Sequence, residues 1–361
     1  MPVHNLHNKP FDEGTQDKLE LYREYLREWL PVFIHGPSLN SINVFDFFAG
    51  PGFDMDGKPG SPVITCEEIK EALIKNDKKG VTIKVYLNEK DSDKYNSLLH
   101  YVEEQKATLP KVSFSTLQKD FHIAFEEWSP DMHGRVANLL FLDQNGVKEI
   151  SKPIFQSIIR LPKTDFLFFI SSAMVNRFKN QPEICERVPV TDEDYSRMNG
   201  TNVHRIVADS YRRWIPDGLK YYLGSFSIRK QKGANVYGLV FGSGHPLGID
   251  KFLNVAWKHG GDANFDIDND KIDPSQPSLF PEMDKPSKIS AFEKELESAI
   301  LCGHLKTNKE LYIFSLQNGM LGSHARKAFD LLIKDKKLPK QALHISYDAW
   351  KKTDVERVIL K

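Results

Sequence analysis

Cysteine is scarce in this chain: there are three in 361 residues, Cys66, Cys185 and Cys302, and none has a second Cys or a His at metal-ligand spacing. That argues against a zinc ribbon or a disulfide scaffold, leaves no metal site to expect, and fits free thiols in a reducing cytoplasm. No uninterrupted apolar run approaches the ~20 residues that a membrane-spanning helix needs, and no apolar signal region follows Met1, so a cytoplasmic location without membrane contact is expected. Net charge is missing too, since 49 Lys and Arg balance 49 Asp and Glu. Attraction to a polyanion must therefore come from a local patch. Two phosphate-binding signatures are also lacking. A P-loop requires Gly-Lys-Ser or Gly-Lys-Thr, and here only Gly57-Lys58-Pro59 occurs; the dinucleotide fingerprint requires a third glycine where Met55 stands.

What is present is the composition of a soluble globular chain, 40% hydrophobic and 27% charged, long enough for two domains. The organising stretch is Val44-Phe45-Asp46-Phe47-Phe48-Ala49-Gly50-Pro51-Gly52. A β-branched and aromatic run suits a strand buried on both faces, and its abrupt end in small residues lets a backbone turn tightly beside a ligand. A tight turn inside a core would read the same way. Asp46 to Gly52 resembles the first motif of class I S-adenosylmethionine-dependent methyltransferases, in which such a turn lies under the methionine part of the cofactor.

Residues 12–30 predict an amphipathic helix, with Leu19, Tyr22, Leu26 and Leu30 on one side, Asp12 as cap and Pro31 as stop. Its simplest role is packing on a sheet; Lys18, or the segment holding His4 and His7, would cover a pocket only if it reached one. The Gly- and Asp-rich stretch from Phe53 to Pro62 is longer than a minimal strand-to-helix loop and is a candidate lid.

Three later strand ends carry acids. Thr82 to Glu89 is a second strand whose terminal Glu89 is placed to accept both ribose hydroxyls, or simply to open the helix that follows from Asp91. Val112 to Leu117 is a third, followed by Asp120 and Phe121, a carboxylate for an adenine amino group and a ring for its face; Asp120 reads equally as a helix cap. Ala137 to Leu142 is a fourth, ending in Asp143-Gln144-Asn145-Gly146, which puts an acid and two amides at the sheet's carboxyl edge. Nucleic-acid amino-methyltransferases carry Asp-Pro-Pro-Tyr at this place, so Asp143 matches and the next three residues depart. The cysteine nucleophile of cytosine carbon-five enzymes is not there. The site is thus expected to use Asp46, Phe48, Ala49, Gly50, Gly52, Glu89, Lys90, Asp120 and Phe121 for S-adenosylmethionine and Asp143 with Asn145 for chemistry.

A fifth strand, Asp165 to Ser171, precedes a hairpin of Tyr221 to Ile228 and Val236 to Phe241, matching the antiparallel pair that closes methyltransferase sheets. Arg212, Arg213 and Trp214 make a basic and aromatic cluster on what is otherwise a solvated helix face. Residues 260–287 have linker composition and divide a methyltransferase-like domain, 1–259, from residues 288–361. That last part reads as three helices and two short strands, Ala342 to Ser346 and Arg357 to Leu360, the plan of a winged helix-turn-helix. From Lys288 onward 14 Lys and Arg face 9 Asp and Glu, so Arg326, Lys327, Lys334 and Lys336 are candidate phosphate contacts. Winged helices also serve protein contacts.

Taken together, Tyr25-Leu26, Trp29, Phe45 to Gly52, Gly60-Ser61-Pro62, Asp143 with Gly146, Asn176-Arg177, Gly242 to Gly248 and Leu316 to Met320 resemble the three-Cys-motif partner proteins, a bacterial family. The resemblance implies a Rossmann-like α/β fold of the class I methyltransferase type, a seven-stranded, mostly parallel sheet, with a carboxyl-terminal winged helix-turn-helix domain. It also implies a three-cysteine, radical-SAM-like protein as partner. Two functions follow: methylation of DNA or RNA, or a catalytically inactive module that senses cofactor or nucleotide and docks that partner in a defence or mobile-element system.

Overall fold

The computed structural model of the chain describes residues 10–36, 39–75, 82–144, 149–171, 175, 188–198, 203–229, 236–259 and 287–360. Helix α1 (Glu13–Ile34) is capped by Asp12, whose carboxylate accepts the Thr15 amide at 2.9 Å. It continues through Pro31, where a stop was expected, because burying Leu30 and Ile34 outweighs the hydrogen bond that the imino nitrogen forgoes.

Seven strands of the described residues form one sheet. Strands β1 (Ser41–Asp46), β2 (Ile83–Asn88), β3 (Val112–Leu117), β4 (Val136–Leu142) and β5 (Thr164–Ser171) are parallel; β6 (Tyr222–Arg229) and β7 (Val236–Ser243) form the antiparallel pair. The order is β3-β2-β1-β4-β5-β7-β6, with β7 antiparallel to both of its neighbours. Strand order reverses between β1 and β4, so the crevice for a ligand opens outside their carboxyl ends. Every residue of β1 and β4 is buried, as in strands covered on both faces, including the polar Ser41, Asn43, Asp46 and Asn138.

The two faces alternate along each strand. Val44, Leu139 and Phe141 pack toward α1, α2 (Ser61–Lys75) and a helix, α3 (Ser92–Thr108), beside them. Phe45, Leu140 and Leu142 pack toward α4 (Phe121–Trp128) and α5 (Lys152–Ile158). Shorter helices α6 (Asp192–Arg197) and α7 (Val203–Ser210) precede β6, and α8 (Pro246–His259) follows β7 and returns to the face of α1.

Several of the residues that carried the family resemblance meet at one buried carboxylate. Asp165 accepts the Tyr25 hydroxyl at 2.7 Å and the Trp29 indole at 3.1 Å, with Ser243 alongside. They knit α1 to β5 and β7 well below the carboxyl edge, so their role is support. The basic cluster before β6 is likewise occupied internally: Arg213 binds Asp194, Arg212 donates to the Leu223 carbonyl at 2.8 Å and the Gln317 carbonyl at 2.7 Å, and Trp214 is buried.

The carboxyl-terminal part holds α9 (Ser287–Leu301), α10 (Asn308–Gln317), α11 (Gly322–Lys334) and the single turn α12 (Tyr347–Trp350). Thr307 and Glu310 cap α10 reciprocally, each side chain taking the other's amide. Neither expected wing segment, Ala342 to Ser346 or Arg357 to Leu360, forms a strand; one bridge joins Thr307 to Arg357. Side chains replace the ladder: the Gln341 amide both donates to and accepts from the Ile359 backbone, and Glu356 takes the His344 amide. Leu311, Tyr312, Leu316 and Phe329 belong to the same hydrophobic cluster as the sheet's α1 face, and α10 lies against β6, the edge strand. Residues 260–286, most of the expected linker, lie outside the described residues.

Candidate functional site

The site is built where β1 ends. Asp46, its last residue, is fully buried; Oδ1 accepts the Phe48 amide at 3.1 Å, while Oδ2 has no hydrogen-bond partner among the described residues. Burial pushes this carboxyl up to about 7 against the pull of the Ser61 hydroxyl and the Phe48 amide, and the negative charges of Asp143 and Glu89 add to the rise. The chain then turns through Gly50 at φ 66° and Gly52 at φ 100°, a left-handed backbone that favours glycine.

Glu89 stands one residue beyond β2 and holds that turn. Its Oε2 accepts the Gly50 amide at 2.9 Å and its Oε1 the Asp91 amide at 2.8 Å, which leaves each oxygen a second lone pair. Asn88 beside it stitches three strand ends: Nδ2 donates to the carbonyls of Phe47 (3.1 Å) and Lys119 (3.0 Å), and Oδ1 accepts the Lys119 amide. The buried Ala49 donates its amide to the Asn88 carbonyl at 2.9 Å. Sequence reading passed over Asn88, although a polar residue closing an apolar strand was a visible signal.

Asp120 and Lys90 are brought together, 2.5 Å apart and both exposed, and the carboxylate raises the pKa of the lysine. Asp120 precedes α4 without capping it among the described residues. Phe121 turns inward and is buried; its ring stacks on Phe48 at 5.4 Å and meets Phe47 edge-on at 5.2 Å. Phe48 is half-buried, and Phe121 lies behind it.

At the end of β4, Asp143 forms an ion pair with Lys18 of α1, side chains 27% and 14% exposed, and the ammonium also lies 5.0 Å from the centre of the Phe169 ring. One turn further along α1, the Tyr22 hydroxyl bonds Thr65 at 2.7 Å and its ring packs 4.2 Å from Phe141. Lys18, Tyr22, Tyr25 and Trp29 thus form one face of α1, laid along the sheet with Lys18 at the carboxyl edge. Gln144 is buried, its Oε1 accepts the Glu149 amide at 3.0 Å, and its Nε2 has no partner among the described residues. Asn145 lies outside the described residues.

The loop after Gly52, read as a candidate lid, is tied down by Asp54. Its carboxylate accepts the amides of Phe11 at 2.7 Å, Lys58 at 2.8 Å and Asp56 at 2.9 Å. Burial alone would raise this carboxyl, and those three amides hold it below the ordinary carboxylate range. Because Phe11 directly precedes Asp12, the cap of α1, the loop and the start of the helix carrying Lys18 are joined.

In the carboxyl-terminal part, Lys327, Lys334 and Lys336 are exposed, whereas Arg326 binds Asp330 at 3.0 Å and the Leu343 carbonyl. None of the described helices is long and apolar enough to cross a membrane.

Residues 266–341 match the family model of the GMT-like wHTH domain. No curated protein matches the sequence. Among solved structures, the chain is similar to the protein LPL1258 of Legionella pneumophila, at 12% identity and TM-score 0.41, over 71% of this chain and 95% of that one. It is similar to spermidine synthase of Thermotoga maritima, at 14% identity and TM-score 0.32, over 67% of this chain and 62% of that one. A SAM-dependent methyltransferase of Agrobacterium tumefaciens aligns at 8% identity and TM-score 0.34, over 63% of this chain and 62% of that one.

Proposed function

We propose that this chain is an S-adenosylmethionine-dependent methyltransferase acting on nucleic acid. The observation that carries the reading is the meeting, at one sheet edge, of the left-handed glycine turn, Glu89, the unpartnered Asp46 oxygen and the Lys18–Asp143 pair. The residues fit such a cofactor: two glycines with no Cβ to obstruct it, carboxylate lone pairs still open on Glu89, and a buried Asp46 oxygen, Oδ2, without a hydrogen-bond partner among the described residues. S-adenosylmethionine would supply a methyl group already activated on a cationic sulfonium, so alignment is the main task left to the protein.

In this reading Gly50, Gly52 and Ala49 lie beneath the amino-acid part, and Glu89 accepts the ribose hydroxyls. Asp120, on parting from Lys90, accepts the adenine amino group beside the Phe48 ring. Asp143 orients the acceptor nitrogen and takes the proton that it sheds, while Lys18 balances the carboxylate charge until the acceptor arrives. Asn145 adds an amide to the same strand end.

A second reading is favoured by one observation: Asp143 is already engaged by Lys18, at a strand end that departs from Asp-Pro-Pro-Tyr. It makes the chain a cytoplasmic cofactor-sensing module that docks a partner, by resemblance a three-cysteine, radical-SAM-like protein, with residues 1–259 and 288–361 as the two working parts. Isothermal titration with S-adenosylmethionine tests both. Absence of binding to wild type, or unchanged binding in Gly50→Val, removes the first reading. With binding established, transfer of labelled methyl to DNA or RNA supports it, and binding without transfer to any polymer supports the second.

A further inference from the structure

A lysine is seldom withdrawn from water unless a partner answers its charge. Lys18 is withdrawn in this way: its side chain is 14% exposed, its ammonium pairs with Asp143, and that ammonium lies over the Phe169 ring, 5.0 Å from its centre. Phe169 belongs to an aromatic layer that continues to Phe141 at 5.5 Å and from there to Tyr22 at 4.2 Å. Lys90, paired with Asp120 at the same edge of the sheet, is by contrast 72% exposed. One carboxylate and one ring therefore fix the Lys18 nitrogen at the end of β4.

A methyl acceptor needs a nucleophile held in line with the activated methyl group and a base for the proton that it sheds. Tyr22 and Cys66 share the α1 side of the sheet with Lys18 and are poorer candidates. The Tyr22 hydroxyl is bonded to Thr65 at 2.7 Å and burial raises it above the ordinary phenol range; burial also pushes the Cys66 thiol up to about 12, so neither readily yields its anion. The Lys18 amine differs, because a carboxylate already receives one of its protons. In the function proposed above, Asp143 marks where the acceptor nitrogen sits, and the nitrogen that sits against it in the structure is Lys18 Nζ.

We propose that Lys18 is a self-methylation site: with S-adenosylmethionine bound and no other acceptor displacing it from Asp143, the Lys18 amine takes the methyl group. This rests on the cofactor half of the function proposed above. The ammonium gives a proton to the Asp143 carboxylate, and the freed lone pair forms the N–C bond as the C–S bond breaks. S-adenosylhomocysteine leaves with that electron pair on its sulfur, and the proton passes from Asp143, 27% exposed, to water. The methylated nitrogen is again a cation, with two N–H groups in place of three, so its pair with Asp143 persists. In the test, the full chain is incubated with S-adenosylmethionine carrying a labelled methyl and no polymer, then digested, and the label is located by mass spectrometry. Wild type should carry it on Lys18, with exposed Lys58 and Lys90 unlabelled. Asp143→Asn should label Lys18 about tenfold more slowly or less, and Lys18→Arg should carry no label in that peptide. Because both groups belong to one chain, the rate constant should not change with protein concentration. Without cofactor, the Lys18 ammonium protons should be resolved by nitrogen-detected NMR in wild type and lost to exchange with water in Asp143→Asn. Cofactor binding with no label on Lys18 overturns the self-methylation alone, even where DNA or RNA is methylated. Label spread over exposed lysines, a rate that rises with protein concentration, wild-type labelling in Asp143→Asn, or no ammonium signal in wild type overturns it equally. Absence of cofactor binding in the calorimeter removes it together with the function on which it rests.

Discussion

Replacing Asp46 by Asn tests whether the carboxyl behind the glycine turn governs the protein's pH dependence. The side chain is fully buried, one oxygen has no partner among the described residues, and Asp143 and Glu89 add negative charge nearby, so burial first and these neighbours second lift it from 3.8 to about 7. Unfolded, the same group ionises near its ordinary value of about 3.9. Between those limits the folded chain keeps a proton that the unfolded chain has released. Stability attributable to this group is therefore complete below about pH 4, falls as the pH rises to about 7, and is level above. At ~1.4 kcal/mol per pH unit the gap sets an upper limit of ~4 kcal/mol. Asp165, lifted to about 6 chiefly by burial, acts in the same direction over a narrower window. Asp46→Asn keeps an acceptor for the Phe48 amide and removes the charge. Its advantage over wild type should be near zero at pH 4, grow to as much as ~4 kcal/mol by pH 8, and leave only the decline that ends near pH 6. Urea denaturation across that range, with m-values compared, measures it. A variant less stable than wild type at pH 8, or a difference that does not change with pH, would refute the reasoning.

Gly50→Val forces a β-branched residue to φ 66°; it should cost ~1–3 kcal/mol in chemical denaturation and abolish S-adenosylmethionine binding in the calorimeter. Lys18→Met leaves Asp143 without its counter-ion beside buried Asp46. A loss of ~1–3 kcal/mol is expected, and a double-mutant cycle with Asp143→Asn should return a coupling above ~0.5 kcal/mol, whereas additivity would show the pair to be idle. Ending the chain after His259 strips α10 from the edge strand β6 and uncovers the α8 surface that Tyr312 and Trp257 share. Light scattering should then report aggregation where the full chain stays dispersed, and a monomeric, cooperatively melting fragment would contradict this.

The sheet was legible because its strands are rich in β-branched, aromatic and other apolar residues, nearly continuous in β4 and alternating with polar ones in β3. Val112–Leu117 matches its expected bounds, β1 begins three residues before the expected Val44, and the other strands differ by a residue or two at their ends. The glycine turn was legible for the same local reason: the residue types that permit φ 66° and φ 100° stand where the run stops. Partners remote in the chain were not. Lys18 is 125 positions from Asp143, and periodicity on α1 could mark a packing face without saying which residue of it would reach the end of β4. Phe121 was read as a ring facing adenine and is buried behind Phe48, because the first turn of α4 points its apolar side at the sheet. The wing strands failed through competition: Gln341 and Glu356 side chains take the backbone groups that a ladder would have used.

Local chemistry by itself thus determined which segments become strands, where the chain can bend over a ligand, and that acids follow the second, third and fourth strands. Backbone preferences and burial on both faces act over a few neighbouring residues, so they can be seen in a string of letters. Tertiary structure alone decided what each acid meets: backbone amides for Glu89, a lysine for Asp120, α1 for Asp143 and an almost dry interior for Asp46. Charge interactions and desolvation depend on distances across the folded chain, and those distances exist only once the sheet has brought its strand ends to one edge.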